Sequence, residues 1–278
     1  MEEYRIKEDN QRQFHKKIKN LETFFRNIGK VAIAFSGGVD STFLLKVAHD
    51  ALGENVLALT VCSSVFPGRE RKEAREFCER EGIRQIEIPF DELKVEGFQD
   101  NPPNRCYLCK KALFKNMKKT AAEEGFSMIA EGSNMDDLGD YRPGLKAIAE
   151  LEILSPLREV GLYKKEIRAL SKDLYLPTWE KPSFACLASR FVYGEQITKE
   201  KLHMVEQAEQ LLMEMGFAQM RVRFHGNMAR IEVPPEDISR FMKEKVREKI
   251  VSEFRKYGFA YVSLDLEGYR TGSMNEIL

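Results

Sequence analysis

The feature that most constrains the fold of this 278-residue chain is a six-residue loop, Ser36-Gly37-Gly38-Val39-Asp40-Ser41. It directly follows the apolar run Val31–Phe35, and a predicted helix over 42–52 comes next. Glycine lets the backbone approach an anion closely, and the first amides of a helix point their N–H groups at it. A buried strand, a glycine-rich turn and a helix in this order therefore predict a phosphate-binding loop.

The loop has no lysine after its glycines, so it is not the GxxxxGK[ST] loop of kinases and GTPases. It resembles the PP-loop, SGGxDS, of ATP pyrophosphatases, which cleave ATP between the α and β phosphates and leave AMP on an acyl oxygen. Asp40 either caps the following helix or acts through a metal ion. The residues expected to hold pyrophosphate and Mg²⁺ are Ser36, Gly37, Gly38, Asp40 and Ser41.

Strands and helices alternate after this loop, which predicts an α/β fold with a doubly wound parallel sheet. In such sheets, ligands bind at the carboxyl ends of the strands. Gly132, Ser133 and Asn134 follow the fourth predicted strand, so we expect them near the AMP part of ATP. The predicted strands cover residues 30–35, 56–61, 85–88 and 127–131, with a fifth over 152–154.

The alternation stops at Pro177–Pro182, a segment bounded by two prolines that indicates a crossing between domains. We therefore predict an ATP-binding domain over 1–178 and a small α+β domain for substrate binding or oligomerisation over 179–278. The elements predicted in the second domain are a helix over 198–215, a hairpin of 219–224 and 228–233, a helix over 235–257 and a strand over 259–264.

Composition argues against a nucleic-acid or membrane partner, because Lys plus Arg and Asp plus Glu each number 44. No apolar run reaches the roughly 20 residues of a membrane span. The polar first residues lack the apolar core of a signal peptide. We therefore expect a cytoplasmic protein, in which the five cysteines stay reduced and are candidates for metal binding or catalysis.

Three cysteines carry the second chemical signal. Cys106 and Cys109 form a CxxC, and Cys186 lies at the predicted domain crossing with Arg190 one helical turn on. Arg190 could favour a thiolate at Cys186. Three thiolates fit a 4Fe–4S cluster with one open iron better than a tetrahedral zinc site. The alternative is that Cys106 and Cys109 pack a helix start as small hydrophobic residues. The two cysteines assigned to core packing are Cys62 and Cys78.

Several motifs occur in the order that is typical of LarE-type sulfur transferases, which the chain resembles over about residues 30 to 275. The most specific are the segments Arg105–Lys110 and Ala185–Arg190. The resemblance implies that ATP and Mg²⁺ adenylylate a carboxylate of pyridinium-3,5-biscarboxylic acid mononucleotide, and that sulfur then replaces AMP. The other matching motifs are SGGVDS, NPPNRCYLCKKALF, EGSNMDD, DYRPG and RVRFHGNMARIE.

The resemblance offers two sources of sulfur. In one branch of the family, a single cysteine gives up its own sulfur and becomes dehydroalanine. In the other, three cysteines bind a 4Fe–4S cluster whose open iron holds an extra sulfide. The presence of Cys106, Cys109 and Cys186 favours the cluster, but Cys186 also matches the sacrificial position, so both mechanisms stay open. Relatives tend to form symmetric assemblies, which implies a homo-oligomer.

The implied substrate carries a phosphate, for which Arg190, Arg221 and Arg223 are candidates. Arg221 and Arg223 alternate on a predicted strand and so present two guanidiniums on one face. The alternative is that both are solvated strand residues. The rival function is a tRNA thiolase of the PP-loop class, which predicts a basic face. An amide-forming relative would need no CxxC, and a binding module would not turn over ATP.

Overall fold

The computed structural model describes residues 16–139, 143–182, 186–270 and 273. The chain forms two compact units, each built from three segments. Unit 1 consists of Met1–Cys62, Gly68–Phe90 and Lys110–Ser183. Unit 2 consists of Ser63–Pro67, Asp91–Cys109 and Phe184–Leu278. The sequence suggested a single boundary after residue 178, whereas the structure groups two earlier segments with the C-terminal part.

Unit 1 contains a parallel four-stranded sheet with the order β3-β2-β1-β4, which confirms the predicted α/β class. In the register, Ala32 of β1 lies opposite Leu57 of β2 and Ile129 of β4. The direction of strand addition therefore reverses between β1 and β4, and ligands of such sheets bind at this position. The strands are β1 (Val31–Ala34), β2 (Val56–Cys62), β3 (Gln85–Pro89) and β4 (Ile129–Ala130).

Helices cover both faces of this sheet. Val31 and Ile33 of β1 belong to one buried cluster, with residues of α1, α2, α3 and α7. Ala32, which points the other way, belongs to a second cluster with residues of α4 and α5. This alternation is the period-2 pattern of a strand buried on both faces. The helices are α1 (16–28), α2 (Val39–Leu52), α3 (Gly68–Glu81), α4 (Arg105–Glu123), α5 (Gly144–Glu150), α6 (Pro156–Glu159) and α7 (Lys164–Asp173).

The strand predicted over 152–154 was wrong, because Leu154 makes only an isolated parallel bridge to Ala130. Glu152 has φ 53°, which lies outside the extended region that a regular strand requires. Leu154 still extends the edge of the sheet locally, since its N–H donates to the carbonyl of Ile129 at 2.9 Å.

Unit 2 packs two long helices on a three-stranded sheet. The predicted hairpin is confirmed: β5 (Arg221–His225) pairs antiparallel with β6 (Met228–Glu232), and β7 (Tyr261–Leu264) pairs parallel with β6. Thr198 caps α8 (Lys199–Glu214), as its hydroxyl accepts from the N–H of Lys201 at 3.3 Å. Across the described part of the chain, no helix is long and apolar enough to cross a membrane.

The helix predicted over 235–257 is interrupted. It is divided into α9 (Pro235–Ile238), a 3-10 turn (Ser239–Met242) and α10 (Glu244–Tyr257). The turn buries Phe241 against Phe217, with ring centroids 4.8 Å apart, and Lys243 then adopts an extended conformation. Packing of one aromatic side chain therefore outweighs continuous helical hydrogen bonding.

Candidate active site

The loop after β1 is a tight cradle in unit 1. Gly37 has φ +72°, and a Cβ atom there would lie 3.2 Å from both the Cβ of Ala74 and the carbonyl of Glu70. Only glycine fits this position without strain. The hydroxyls of Ser36 and Ser41 lie 3.0 Å apart in a hydrogen bond that closes the loop. Glycine packing and this hydrogen bond therefore hold the backbone of the loop, and its binding of phosphate stays a prediction.

Asp40 is the second residue of α2, and the N-cap residue Gly38 has no side-chain cap. Asp40 therefore does not cap the helix, which was one of the two roles left open by the sequence. Its Oδ2 lies 2.5 Å from the Nζ of Lys164, and its Oδ1 accepts from the Nδ2 of Asn134 at 3.3 Å. Carboxylate oxygens are the ligands that Mg²⁺ prefers, so Asp40 fits a metal-binding role beside bound phosphates.

The structure brings Gly132 and Asn134 to this cradle. A Cβ atom on Gly132 would lie 3.1 Å from the backbone nitrogen of Ser41 and 3.3 Å from the Cβ of Asp40. The loop after β4 therefore touches the start of α2, as expected where the strand order reverses. All the predicted nucleotide-binding residues lie together in unit 1, and their contacts with ATP stay a prediction.

Two lysines of this site were missed by sequence reasoning. Lys164 pairs with Asp40 as described above. Lys181 donates to the carbonyl of Gly37 at 3.1 Å and pairs with Glu70 and Glu73 at 2.7 and 2.6 Å. Both lysines are distant from the loop in sequence, so no local spacing indicated them.

The three candidate cysteines lie in one neighbourhood of unit 2. Cys106 and Cys109 are the second and fifth residues of α4, and Cys186 precedes a 3-10 turn, Leu187–Arg190. Burial raises the pKa of Cys109, and the charges of Cys186 and Cys106 raise it further. Burial raises the pKa of Cys186 to about 11. Among the described residues, no group of three His, Cys, Asp or Glu side chains is arranged to hold a metal ion.

Arg105 is a cation that acts on Cys186 and that sequence reasoning did not indicate; the expected effect of Arg190 on this thiol stays a prediction. Against the effect of burial, the charge of Arg105 lowers the pKa of the Cys186 thiol. Arg105 is buried, hydrogen-bonds to Asn101 and lies 3.8 Å from the sulfur of Cys106. Arg190 donates to the backbone carbonyl of Cys186, at 3.4 Å.

Glu92 is a second charged residue of this neighbourhood that the sequence did not indicate. It is fully buried and accepts from the hydroxyl of Ser64 at 3.0 Å. Its charge contributes to raising the pKa values of Cys109 and Cys186. The charges of buried Arg105 and buried Glu92 therefore have opposite effects on the pKa values of Cys109 and Cys186.

The three candidate arginines are buried, so they are not solvated strand residues. Arg190 forms two hydrogen bonds with Glu209, at 2.8 and 2.9 Å. Arg223 pairs with Glu232 at 2.8 Å and donates to the carbonyl of Ser189 at 3.0 Å. Two of the candidates are thus already held by carboxylates.

Arg221 is buried near Arg190 and Glu209, whose charges both act on its pKa. Its guanidinium donates to the carbonyl of Met220 at 2.6 Å and lies over the ring of Tyr269, 5.1 Å from the centroid. Burial, and then the charge of Arg190, lower its pKa to about 10, although the charge of Glu209 opposes them. Because its positive charge is desolvated beside another arginine, an anion bound there would be stabilised.

Comparison with known proteins extends over both units. The PP-loop domain family matches residues 6–141. An uncharacterized protein of Synechocystis is 43% identical over 94% of this chain and 98% of its own length. The pyridinium-3,5-bisthiocarboxylic acid mononucleotide synthase of Lactiplantibacillus plantarum is 36% identical over 94% of this chain and 95% of its own. A subunit of the glutamine-hydrolyzing GMP synthase of Thermoplasma volcanium is 26% identical over 68% of this chain and 65% of its own.

Proposed function

The chain belongs to the family of LarE-type ATP-dependent sulfur transferases, and we propose that its substrate is pyridinium-3,5-biscarboxylic acid mononucleotide. In this proposal, the enzyme adenylylates a carboxylate of the substrate and replaces AMP with sulfur, which gives the thiocarboxylate. The name of the Lactiplantibacillus plantarum relative supports this substrate. The observation that carries the proposal is that one chain holds a phosphate cradle in unit 1 and three neighbouring thiols in unit 2.

Adenylylation solves a chemical problem, because a carboxylate is a poor electrophile and has no good leaving group. A carboxylate oxygen of the substrate bonds to the α phosphorus of ATP. The bond from that phosphorus to the bridging oxygen breaks, and pyrophosphate leaves with the electron pair. The loop of Ser36–Ser41 would hold the phosphates through backbone N–H groups and hydroxyls. Asp40 would hold Mg²⁺, which neutralises charge on the leaving pyrophosphate.

We propose that Cys106, Cys109 and Cys186 hold a 4Fe–4S cluster. The donor chemistry supports the proposal, since three thiolates leave one iron open, although the described side chains are not arranged as a metal site in this structure. Cys106 and Cys109 are three residues apart near the start of α4, so they lie on the same face of this helix. When bound, the cluster supplies a sulfide that is a strong nucleophile at neutral pH.

The alternative source of sulfur is Cys186 itself. Its thiolate would displace AMP from the acyl adenylate. Cleavage of its Cβ–S bond, with loss of the Cα proton, would then leave the thiocarboxylate and dehydroalanine. Cys186 is held by Ser189, whose N–H and hydroxyl donate to its carbonyl at 2.9 and 2.7 Å, so its backbone is fixed independently of any metal.

Anaerobic reconstitution with iron and sulfide, followed by an iron count and a turnover assay, tests these proposals. About four irons per chain and several thiocarboxylates per enzyme support the cluster. An iron-free enzyme that stops after one turnover, with the mass of dehydroalanine at residue 186, supports the sacrificial cysteine. If AMP and pyrophosphate do not form in the presence of the mononucleotide, the proposed substrate is wrong.

The homo-oligomer implied by the resemblance and the cytoplasmic location expected from the sequence both stay predictions. Light scattering of the purified enzyme would test the first of them. Binding of unmodified tRNA with a steep salt dependence would instead favour the thiolase.

A further inference from the structure

The acidic residue of the phosphate loop already has a cationic partner. The Nζ of Lys164 lies 2.5 Å from the Oδ2 of Asp40, and the amide of Asn134 occupies the other oxygen at 3.3 Å. An ammonium group therefore lies where a divalent cation would bind the same carboxylate. Lys164 is 124 residues away from Asp40 in the sequence.

The backbone of Lys164 is fixed beside the loop that follows β4. Its N–H donates to the Oδ2 of Asp136 at 2.6 Å, and the N–H of Met135 donates to the carbonyl of Leu162 at 2.9 Å. These two bonds join the start of α7 to the loop that contains Gly132 and Asn134. The side chain of Lys164 makes neither bond, so its ammonium can change partners while the backbone stays in place.

The start of α7 is further held by a buried carboxylate. Glu166 accepts from the N–H of Tyr163 at 2.9 Å and from the Nζ of Lys17 at 2.7 Å. Replacing the side chain of Lys164 leaves all of these bonds intact. Variants at this position should therefore fold.

The pair of Lys164 and Asp40 can be exchanged. The two side chains are 30% and 23% exposed, so water competes with the contact. Ion pairs that remain partly solvated contribute little to stability. A lysine on a flexible four-carbon stem is a compact charge suited to binding phosphate.

We propose that Lys164 is a further catalytic residue of the ATP reaction. When ATP binds with its metal ion, Asp40 takes the metal, and the released ammonium of Lys164 bonds a phosphate oxygen of the bound triphosphate. Its charge then stabilises the negative charge that grows on the leaving pyrophosphate. The catalytic role of Lys164 rests on the adenylylation proposed above. The contact of Lys164 with the bound triphosphate does not depend on that proposal.

The test compares the variants Lys164→Met and Lys164→Arg with the exposed neighbour variant Lys165→Met as the control. Calorimetry measures the affinity for a nonhydrolysable ATP analogue with Mg²⁺, and for adenosine. A second assay measures AMP and pyrophosphate formation in the presence of the mononucleotide. We expect Lys164→Met to bind the analogue about tenfold more weakly or worse, with adenosine affinity unchanged. Turnover should fall about 100-fold or more, and Lys164→Arg should recover part of both losses.

Lys165→Met should match the wild type in both assays. The inference is overturned if Lys164→Met binds the analogue as tightly as the wild type, or if it turns over within twofold of it. If the wild type forms no AMP with the mononucleotide, but the analogue affinities differ as expected, the triphosphate contact of Lys164 is supported and the proposed substrate is wrong.

Discussion

Arg190 and Glu209 are joined by two parallel hydrogen bonds inside unit 2, from Nε to Oε1 at 2.8 Å and from Nη2 to Oε2 at 2.9 Å. The side chains are 1% and 2% exposed. Glu209 also accepts from the N–H of Val222 at 3.0 Å, so one carboxylate connects α8, the turn after Cys186 and β5. This pair therefore holds the thiol-bearing turn against the sheet.

Replacing Glu209 with Gln should destabilise the protein by about 3 kcal/mol at pH 7, because it leaves the charge of Arg190 buried without its counterion. Burial raises the pKa of Glu209, but the charge and hydrogen bonds of Arg190 outweigh it and hold the pKa below its ordinary 4.5. Because the pKa of Glu209 is lower in the folded protein than in the unfolded chain, its ionised form stabilises the fold above pH 4.5. This stabilisation is lost as the pH falls through the pKa that Glu209 has in the folded protein. The difference between wild type and Glu209→Gln should therefore shrink below pH 4.5.

Urea unfolding at a series of pH values measures this difference. The control is Glu214→Gln, an exposed change on the same helix, which should stay within about 0.5 kcal/mol of the wild type. If the difference in unfolding free energy between wild type and Glu209→Gln stays constant from pH 7 to below pH 4.5, the buried ion pair is contradicted.

Gly132→Ala should disrupt the nucleotide cradle. Its Cβ would meet the backbone nitrogen of Ser41 at 3.1 Å, and neither backbone can move without distorting the start of α2. We expect ATP affinity, measured by calorimetry, to fall about tenfold or more, with a stability loss of about 1–3 kcal/mol from overpacking. Gly68→Ala is the matched control, because a Cβ at Gly68 meets nothing within 4 Å. Equal ATP affinities in the two variants would show that Gly132 does not line the site.

We expect substitution of Arg221 to weaken binding of the mononucleotide and substitution of Arg223 to destabilise the folded protein. Arg221→Gln should raise the KM for the mononucleotide about tenfold or more, because it removes the desolvated charge that favours an anion. Arg223→Gln should cost about 3 kcal/mol of stability, because it leaves the fully buried Glu232 without one of its cations. Steady-state kinetics and urea unfolding of both variants, with the exposed Arg247→Gln as control, measure these effects. An unchanged KM in Arg221→Gln would remove Arg221 from the phosphate site.

Cys106→Ala should abolish repeated turnover and lower the iron content if the three cysteines share a cluster. Cys62→Ala is the control, since Cys62 belongs to unit 1, where it ends β2 and its thiol donates to Glu87 at 3.1 Å. Iron analysis and multiple-turnover thiocarboxylate formation are the measurements. Full turnover by Cys106→Ala would eliminate the cluster.

Local patterns predicted much of the fold, because strand, loop and hairpin signals lie within a few residues of one another. The loop of Ser36–Ser41 and the β5–β6 hairpin are examples, and both occur as expected. The missed residues, such as Lys164, Arg105 and Glu209, are common surface types. What gives them a role is a partner distant in the sequence, and only the folded chain brings that partner close.

The interleaved order of the segments has a consequence for how this enzyme can be divided. Unit 2 takes Cys106 and Cys109 from Asp91–Cys109 and Cys186 from the segment that begins at Phe184. A gene cut near codon 179 would therefore separate these cysteines onto different polypeptides. Recombination by exchange of whole modules cannot transplant the thiol-bearing part alone, so we expect ATP activation and sulfur delivery to be inherited as one indivisible segment of DNA.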